Sequence, residues 1–409
     1  MHFSVGKIAV FLKAGEPEDL RLRDTAMSQT FDIAPTPPVI AGRGAAKRIQ
    51  DVAATLAIAK PLLVIDSFLV GTGYAMDVQQ ALAKQGIQAH IFAGFSGEPK
   101  AAHINAGTQT ALAHACDGVI GIGGGTTLDI AKLVACCAAC GSASPDIGHY
   151  ALGVAPLPDK PLPKLLVPTT AGTGSEMSAT NIFAGEDGRK LWAWAPQSRA
   201  DMAIIDGDLL TSMPPALLVW CAMDAFVHAF EASTNTSSNE GASLYGHRAM
   251  ALIARQLPAA LTGDGDALQA LAMASAWAGV AIDRCGTAIA HMASHGLAGI
   301  APVHHGMATA LAFEATLPWL LECDAPSLHE AARACGTNVD GLPALVSSLI
   351  DLASTSRQWP EQIAAIEPQH LAAEMARPEN APMRNRTVRP VTDADMLLLA
   401  RRILMSGVF

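Results

Sequence analysis

Asp224 and His228 place a carboxylate and an imidazole four residues apart, within the apolar stretch LLVWCAMDAFVHAFEA. In a helix, side chains four residues apart leave the same face, with their Cβ atoms about 5–6 Å apart. That spacing suits two ligands of one metal ion, and an aspartate in so apolar a helix is costly unless it is paired. The pair therefore predicts a divalent-metal site on a helix.

Further candidate ligands follow downstream. Of the 13 histidines in the chain, four fall close together: His291, His295, His304 and His305. His291 and His295 are again four residues apart, and His305 precedes an apolar run, so we expect it to open a helix. Any one of these histidines alone is better explained as a solvated or packed side chain. Together, one aspartate and two or three histidines make a divalent-metal set with an open position.

A glycine-rich segment, GIGGGTT at residues 121–127, stands where a predicted strand ends and a predicted helix begins. Glycines let the backbone approach a diphosphate, and the N–H groups at a helix start favour anions. The segment is neither a standard G-x-G-x-x-G nor a Walker loop. It predicts a dinucleotide-binding turn, although such turns also arise purely for tight packing.

Two other stretches suit nucleotide binding. Asp66 ends a strand, where a carboxylate can bond a ribose 2′-hydroxyl and repel a 2′-phosphate, so it favours NAD over NADP. The alternative for Asp66 is a helix cap or a turn residue. The second stretch, TTAGTGSE at residues 169–176, offers hydroxyl and N–H groups that could face phosphate or nicotinamide.

The composition argues against several partners. The chain has 409 residues and a net charge of −10, which disfavours a nucleic-acid-binding surface and gives no basic patch for a membrane. No apolar run is expected to reach the ~18 residues of a membrane span. Half of the residues are hydrophobic and only 16% are charged, which suits extensive helix packing and a subunit interface. We therefore expect a homo-oligomer, at least a dimer.

The cysteines indicate a reducing compartment. There are 8 cysteines, and the N-terminus lacks the apolar core of a signal peptide, so we expect reduced thiols and a cytoplasmic location. Cys137 and Cys140 form a C-x-x-C in an alanine-rich stretch. Packing is favoured there over a redox or zinc role.

The order of apolar segments predicts two domains. From Thr36, apolar strands alternate with helices, which predicts a parallel sheet covered on both faces. After Ser212, which could cap a helix with Pro214 and Pro215 in its first turn, only helical patterns remain. We expect an α/β domain at 1–207, with residues 1–30 uncertain apart from a candidate strand in KIAVFLK, and an all-helical domain at 208–409.

Four stretches together resemble the iron-containing (group III) alcohol dehydrogenase family: GIGGGTTLDIAK, PTTAGTGSE, MDAFVHAFEA and HMASHGLAGIAPVHHG. Their order and spacing match the family from about Thr36 to Arg402. The resemblance implies a dinucleotide-binding α/β domain, a helical domain, and an active site in the cleft between them. It also implies NAD-dependent hydride transfer between a small alcohol and its aldehyde or ketone, with iron(II) or zinc(II) polarising the substrate oxygen.

The resemblance also assigns roles to individual positions. Asp66 matches the position that selects NAD, and His295 matches a histidine near the nicotinamide, where it is a fitting proton relay. Thr126 stands in the cofactor loop where serine is usual. The metal ligands implied are Asp224, His228, His291 and His305. The other cofactor-loop positions implied are Gly123, Gly124, Gly125, Asp129, Thr169, Thr170 and Ser175.

Two departures from the family pattern bear on the site. His304 stands where proline is common, which makes it a competing candidate ligand, and Gly296 replaces a larger residue, which could alter the pocket. Imidazole and carboxylate suit iron and zinc equally. Three alternatives stay open: a metal-independent reductase of the same fold, an NAD- and metal-using lyase of the dehydroquinate synthase type, and a non-enzymatic nucleotide sensor or scaffold.

Overall fold

The computed structural model of the chain describes residues 35–141, 146–354 and 357–406. The strand predicted in KIAVFLK lies outside the described residues. The chain divides into two units, Met1–Ala34 and Pro35–Phe409, and the fold described below belongs entirely to the second.

Six strands form one parallel sheet, and two more form a separate antiparallel pair. The order across the sheet is β1-β8-β5-β4-β2-β3, and each neighbouring pair is parallel. The antiparallel pair β6–β7 was not predicted from the sequence. The strands are β1 (Val39–Ala41), β2 (Pro61–Ile65), β3 (His90–Phe92), β4 (Gly118–Gly123), β5 (Lys164–Pro168), β6 (Thr180–Ala184), β7 (Lys190–Trp194) and β8 (Met202–Ile205).

Helices cover the sheet, and after β8 all the regular secondary structure of the described residues is helical. Within the described residues, strands end at Ile205, so the predicted change from an α/β half to a helical half is confirmed as a fold class. The exact domain limits at 207 and 208 stay a prediction. The α-helices are α1 (Ile49–Thr55), α2 (Ser67–Gly71), α3 (Tyr74–Ala83), α4 (Ala101–Ala113), α5 (Gly125–Ala138), α6 (Pro215–Thr234), α7 (Glu240–Leu261), α8 (Gly265–Cys285), α9 (Ile289–Ile300), α10 (His305–Leu321), α11 (Pro326–Ala334), α12 (Leu342–Asp351), α13 (Glu361–Ala364), α14 (Pro368–Met375), α15 (Ala381–Arg386) and α16 (Asp393–Ser406).

The sheet is buried on both faces. Alternate residues of β2 enter two different cores: Leu62 and Val64 pack on one side, and Leu63 and Ile65 pack on the other. All five residues of β2 are buried. This two-sided burial explains why the central strands are continuous apolar runs rather than alternating ones.

Helix α6 runs through the core of the helical half. It begins with Pro215 in its first turn, as predicted, but its N-cap position is Pro214 and no side chain caps it. The expected cap by Ser212 was therefore wrong, because the helix starts too late for that side chain to reach its first N–H groups. Among the described residues, α6 is the one helix long and apolar enough to cross a membrane, yet 83% of that window is buried inside the protein. The expectation of no apolar run of that length was wrong for α6, which is a core helix here.

The two halves meet closely at one pair of glycines. Gly174 adopts a left-handed φ of 60° and lies against Gly279 of α8. A Cβ on Gly174 would come within 2.4 Å of the Cα of Gly279, and a Cβ on Gly279 would come within 2.3 Å of the carbonyl oxygen of Gly174. Only glycine at both positions lets the second glycine-rich turn touch the helix backbone.

Candidate metal and cofactor site

Three helices bring the predicted metal ligands together. Asp224 comes from α6, His291 from α9 and His305 from the first turn of α10. One candidate donor atom from each of the three lies within 4.8 Å of the others, the one such group found in the described residues. The predicted helix start at His305 is confirmed. Three of the four predicted ligands therefore converge in the structure.

The donor atoms of this cluster fit a metal cation. Asp224 Oδ1 lies 3.5 Å from His291 Nε2 and 3.6 Å from His305 Nε2. Asp224 Oδ1 and His291 Nε2 are both buried without a hydrogen-bond partner, which is costly in a protein interior. A divalent cation between the three side chains would satisfy both atoms. His305, at 27% side-chain exposure against 3% for the other two, marks the open side of the cluster.

His228 lies beside the cluster. Its ring stacks on the ring of His291 with centroids 4.3 Å apart. Its Nδ1 is 3.4 Å from the carbonyl oxygen of Gly172 and 3.9 Å from Asp224 Oδ2. The role of His228 as the fourth ligand stays a prediction, and donation from Nδ1 to Gly172 would free its Nε2 for a metal.

The charges of the cluster also favour a cation. Although burial raises the pKa of Asp224, the neighbouring imidazoles of His228, His305 and His291 lower it more, and the net pKa lies well below the usual range. Burial lowers the pKa of His228 to about 4 and that of His305 far below its ordinary value. Asp224 is therefore ionised, and these two histidines are neutral, which is the state that binds metal.

His291 differs from the other two histidines. Burial lowers its pKa, but Glu231 and Asp224 together outweigh burial and raise that pKa to about 9. Its Nδ1 is 2.7 Å from Glu231 Oε2. Glu231 was given no role from the sequence, yet its place seven residues after Asp224, on the same helix face, was a usable signal.

The predicted proton relay, His295, lies at the edge of the cluster, where its ring centroid is 5.9 Å from that of His305. Burial lowers its pKa well below 6.5, and the charge of Lys190 adds to this. Lys190, at the start of β7, has its Nζ 3.5 Å from His305 Nδ1 and 3.0 Å from Glu98 Oε1. No local pattern signals Lys190, because the antiparallel hairpin carries it to the site.

The two departures from the family pattern are accounted for by packing and capping. His304 is outside the three-residue cluster and caps α10, where its Nδ1 accepts a hydrogen bond from Met307 N at 3.4 Å. Gly296 lies against α14, and a Cβ there would come within 3.0 Å of Met375 Cγ and 3.2 Å of Met375 N. The absence of a side chain at Gly296 thus lets α9 and α14 pack closely.

The two glycine-rich turns lie against each other. A Cβ on Gly125 would come within 2.5 Å of Thr173 Cγ2, and one on Gly124 would come within 3.2 Å of Thr170 Cγ2. Helix α5 starts at Gly125, and the N-cap residue Gly124 offers no side-chain cap. The first N–H groups of α5 are thereby left for another acceptor, which suits a diphosphate.

Asp129 ties the second turn to β6. Its Oδ1 accepts a hydrogen bond from Ser175 Oγ at 2.5 Å, and its Oδ2 accepts one from Ile182 N at 3.0 Å. Lys132 Nζ lies 3.2 Å from Asp129 Oδ1 and donates to the carbonyl oxygens of Ser175, Ser178 and Thr180. The predicted cofactor residues Asp129 and Ser175 are therefore bonded to each other, and they set the shape of the turn.

The remaining predicted cofactor residues lie on the same edge of the sheet. Thr169 N donates to the carbonyl oxygen of Gly123 at 2.9 Å, where β4 and β5 end. Thr126 Oγ1 donates to Gly97 O at 3.0 Å. Asp66 ends β2 and caps α2, accepting from Phe68 N at 2.8 Å. The cap foreseen as an alternative for Asp66 is present, and its contact with a ribose stays a prediction.

Comparisons with known proteins agree with this arrangement. Residues 36–207 match the family model for iron-containing alcohol dehydrogenase, and residues 218–365 match the C-terminal model of the Fe-containing alcohol dehydrogenase family. The NAD-dependent methanol dehydrogenase of Bacillus methanolicus is 29% identical over 75% of this chain and 80% of that protein. The choline dehydrogenase of Bacillus subtilis is 31% identical over 71% and 73%.

A solved structure shows the same fold. The sulfoacetaldehyde reductase of Bifidobacterium kashiwanohense, solved with NAD⁺, aligns with a TM-score of 0.82 and 24% identity over 92% of this chain and 99% of that chain. The two family models together span most of the described fold, including both glycine-rich turns and the convergent cluster of Asp224, His291 and His305. The chain therefore belongs to the iron-containing alcohol dehydrogenase family, and it is an oxidoreductase.

Proposed function

We propose that this chain is an NAD-dependent oxidoreductase that interconverts a small alcohol and its aldehyde or ketone, with iron(II) or zinc(II) held by Asp224, His228, His291 and His305. The observation that carries the proposal is the buried cluster of metal-ligand side chains. In it, Asp224 Oδ1 and His291 Nε2 lie 3.5 Å from each other, and neither has a hydrogen-bond partner. A metal-independent reductase would have no reason to bury these atoms unsatisfied.

The residues of the site divide the work of the reaction. When bound, the metal supplies Lewis acidity to the substrate oxygen, and the nicotinamide accepts or returns the hydride. The more exposed side of the cluster, at His305, leaves an approach for the substrate. His295 is held neutral by burial and by Lys190, so its imidazole keeps a nitrogen lone pair with which to take the hydroxyl proton, although the lowered pKa makes it a weaker base than a free imidazole.

The cofactor is proposed to lie across the two glycine-rich turns. The uncapped start of α5 would receive the diphosphate, and Asp66, at the end of β2, would bond the ribose 2′-hydroxyl. The contact of Gly174 with α8 ties the second turn to the helical half. The nicotinamide could then lie near His295 and the metal cluster, as hydride transfer requires.

The proposed setting is a homo-oligomer in the cytoplasm. All eight cysteines lie in described residues and are free, which suits a reducing compartment. The low charge content of 16% supports a subunit interface. Sedimentation showing a stable monomer at micromolar concentration would contradict the oligomer.

The test is an activity panel with the purified chain. The protein would receive NAD(H), then added iron(II) or zinc(II), and a series of small alcohols and aldehydes, with NADH absorbance as the readout. We expect metal-dependent turnover of at least one pair, with NAD(H) preferred over NADP(H). The proposal fails if metal-loaded protein turns over no member of the panel in either direction.

A further inference from the structure

Glu231 is a buried carboxylate with three hydrogen-bond donors around it. It is 2% exposed. Its Oε2 accepts from Ala288 N at 2.7 Å and lies 2.7 Å from His291 Nδ1, and its Oε1 accepts from Ala290 N at 2.7 Å. Both oxygens are thus engaged with the segment that begins α9.

These contacts belong to a polar stripe on α6. Asp224, His228, Glu231 and Asn235 follow one another at spacings of four, three and four residues, which places them on one face of a helix. Asn235, at the C-cap, donates from Nδ2 to the carbonyl oxygens of Cys285 and Gly286 at 3.1 Å each. The stripe holds the α8–α9 connection at one end and the candidate metal cluster at the other.

Glu231 also completes the start of α9. Ala288 is the N-cap of that helix and Ala290 is its second residue, so their N–H groups have no partner within the helix. A carboxylate at this position satisfies both groups and complements the positive end of the helix dipole. The same helix carries His291 and His295, so one side chain sets the position of both histidines.

We propose that Glu231 is the positioning residue of the metal site, an inference that rests on the proposed function. By accepting the Nδ1 proton of His291, the carboxylate directs Nε2 of that ring at Asp224 Oδ1, 3.5 Å away, where a bound metal would take the place of the Nε2 proton. By accepting the N–H groups of Ala288 and Ala290, it fixes the helix from which the ring projects. Metal affinity therefore depends on a residue that does not touch the metal.

His305 has a different arrangement, which makes the assignment specific to His291. Its Nδ1 is 3.0 Å from Ser294 Oγ, and Ser294 Oγ accepts from Thr309 Oγ1 at 3.1 Å. The same Nδ1 also lies 3.5 Å from Lys190 Nζ, so its neighbours are hydroxyl groups and an ammonium rather than a carboxylate. Of the two histidines in the three-residue cluster of the described structure, only His291 has a carboxylate at Nδ1 that also accepts backbone N–H groups.

The test compares metal affinity in Glu231→Gln and Glu231→Ala with that of the parent, by chelator competition on iron- or zinc-loaded protein. The glutamine keeps the side-chain shape, but its amide brings two N–H donors into a site lined by donors. We expect both variants to bind metal about 10–100-fold more weakly. Cobalt(II)-loaded protein should show an altered visible spectrum, because the His291 ring is no longer held in place.

Thr234→Val is the matched control. Thr234 is buried on the same helix, and its Oγ1 donates only within α6, to Phe230 O at 2.8 Å. We expect this variant to retain parental metal affinity even if its unfolding stability falls. Glu231→Gln binding metal as tightly as the parent would overturn the proposal, as would an equal loss of affinity in Thr234→Val. If the parent protein binds no metal, the proposed function fails together with the role of Glu231. If the parent binds metal and Glu231→Gln binds it equally tightly, only the role of Glu231 fails.

Discussion

Asp224 in the helical half and Glu176 in the second glycine-rich turn are both buried carboxylates, yet their pKa values shift in opposite directions. They are 2% and 1% exposed, and each has one oxygen without a hydrogen-bond partner. Burial raises the pKa of Glu176 to about 7. Burial also raises the pKa of Asp224, but the neighbouring imidazoles lower it further and bring the net value below the usual range.

The difference lies in what surrounds each oxygen. Around Asp224 the Nε2 atoms of His291 and His305 converge within 3.5–3.6 Å. The cation that acts on Glu176 is Lys132, whose ammonium is already bonded to three carbonyl oxygens and lies 3.2 Å from Asp129. An unpartnered buried oxygen therefore indicates a metal site only where other donor atoms converge on it.

The largest expected effect is on metal content. Asp224→Asn removes the charge at the centre of the cluster, so we expect loss of bound metal and of activity, because metal binding depends on a few ligand bonds. Glu176→Gln should keep its full metal content. The measurement is the metal content of both purified variants by elemental analysis. Metal retained by Asp224→Asn, or metal lost by Glu176→Gln, would contradict the distinction between the two carboxylates.

A second pair of variants separates the histidines of α9. His291→Ala should lose both metal and activity, whereas His295→Ala should keep metal and turn over about 10²–10⁴-fold more slowly, as expected for a general acid–base group. Metal content and steady-state rates are measured side by side. A metal-free His295→Ala beside a loaded His291→Ala would invert the assignment. If both stay loaded, His304 becomes the first candidate for the missing ligand.

The pH dependence of stability tests Glu176. Its pKa of about 7 in the folded protein exceeds the ordinary 4.5, so the folded state keeps this proton in a range where the unfolded state has lost it. The contribution of Glu176 to the free energy of unfolding therefore falls as pH rises from 4.5 to about 7, by up to about 1.4 kcal/mol per pH unit. Glu176→Gln should show a shallower decline in urea unfolding across this range, and superimposable pH profiles would contradict the assignment.

The smallest effect is expected at a third carboxylate, Asp66, which is only half-buried at the end of β2. In its proposed role, Asp66 would bond the ribose 2′-hydroxyl and repel a 2′-phosphate, and Asp66→Gly would remove both effects. We expect the NADP(H)-to-NAD(H) ratio of kcat/KM to rise about 10–100-fold, a change of ~1.4–2.7 kcal/mol. Equal use of both cofactors by the parent protein would contradict the role of Asp66.

The features that depend on local spacing were predictable from the sequence. The four-residue interval between Asp224 and His228 predicted that one helix carries both side chains, as α6 does, and the apolar runs predicted the strands of a doubly covered sheet. Metal binding by His228 stays a prediction. The turns at 121–127 and 169–176 were also found, because clustered glycines at a strand end indicate that the backbone must turn sharply or be approached closely. These features are set by residues close together in the chain.

The features that were missed depend on distant contacts. Lys190 reaches His305 only because β6 and β7 form a hairpin, and Ser294 matters only because α9 and α10 place its hydroxyl beside His305 Nδ1. Ser212 failed as a cap because α6 begins three residues later, at Pro215. Gly296 packs against residues of α14, a contact that the sequence did not signal, and an effect of this glycine on the pocket stays a prediction.

Because the polar stripe of α6 depends on the spacing of its residues, the number of residues in α6 is more tightly constrained than their types. One residue inserted between His228 and Glu231 would rotate everything after it by about 100° around the helix axis. Glu231 would then turn away from the start of α9, and Asn235 from the α8–α9 connection, while Asp224 stayed in place. An insertion in the turn at Gly188, where the β6–β7 hairpin reverses, would only lengthen a loop. Insertions should therefore be tolerated in this hairpin turn but not within α6.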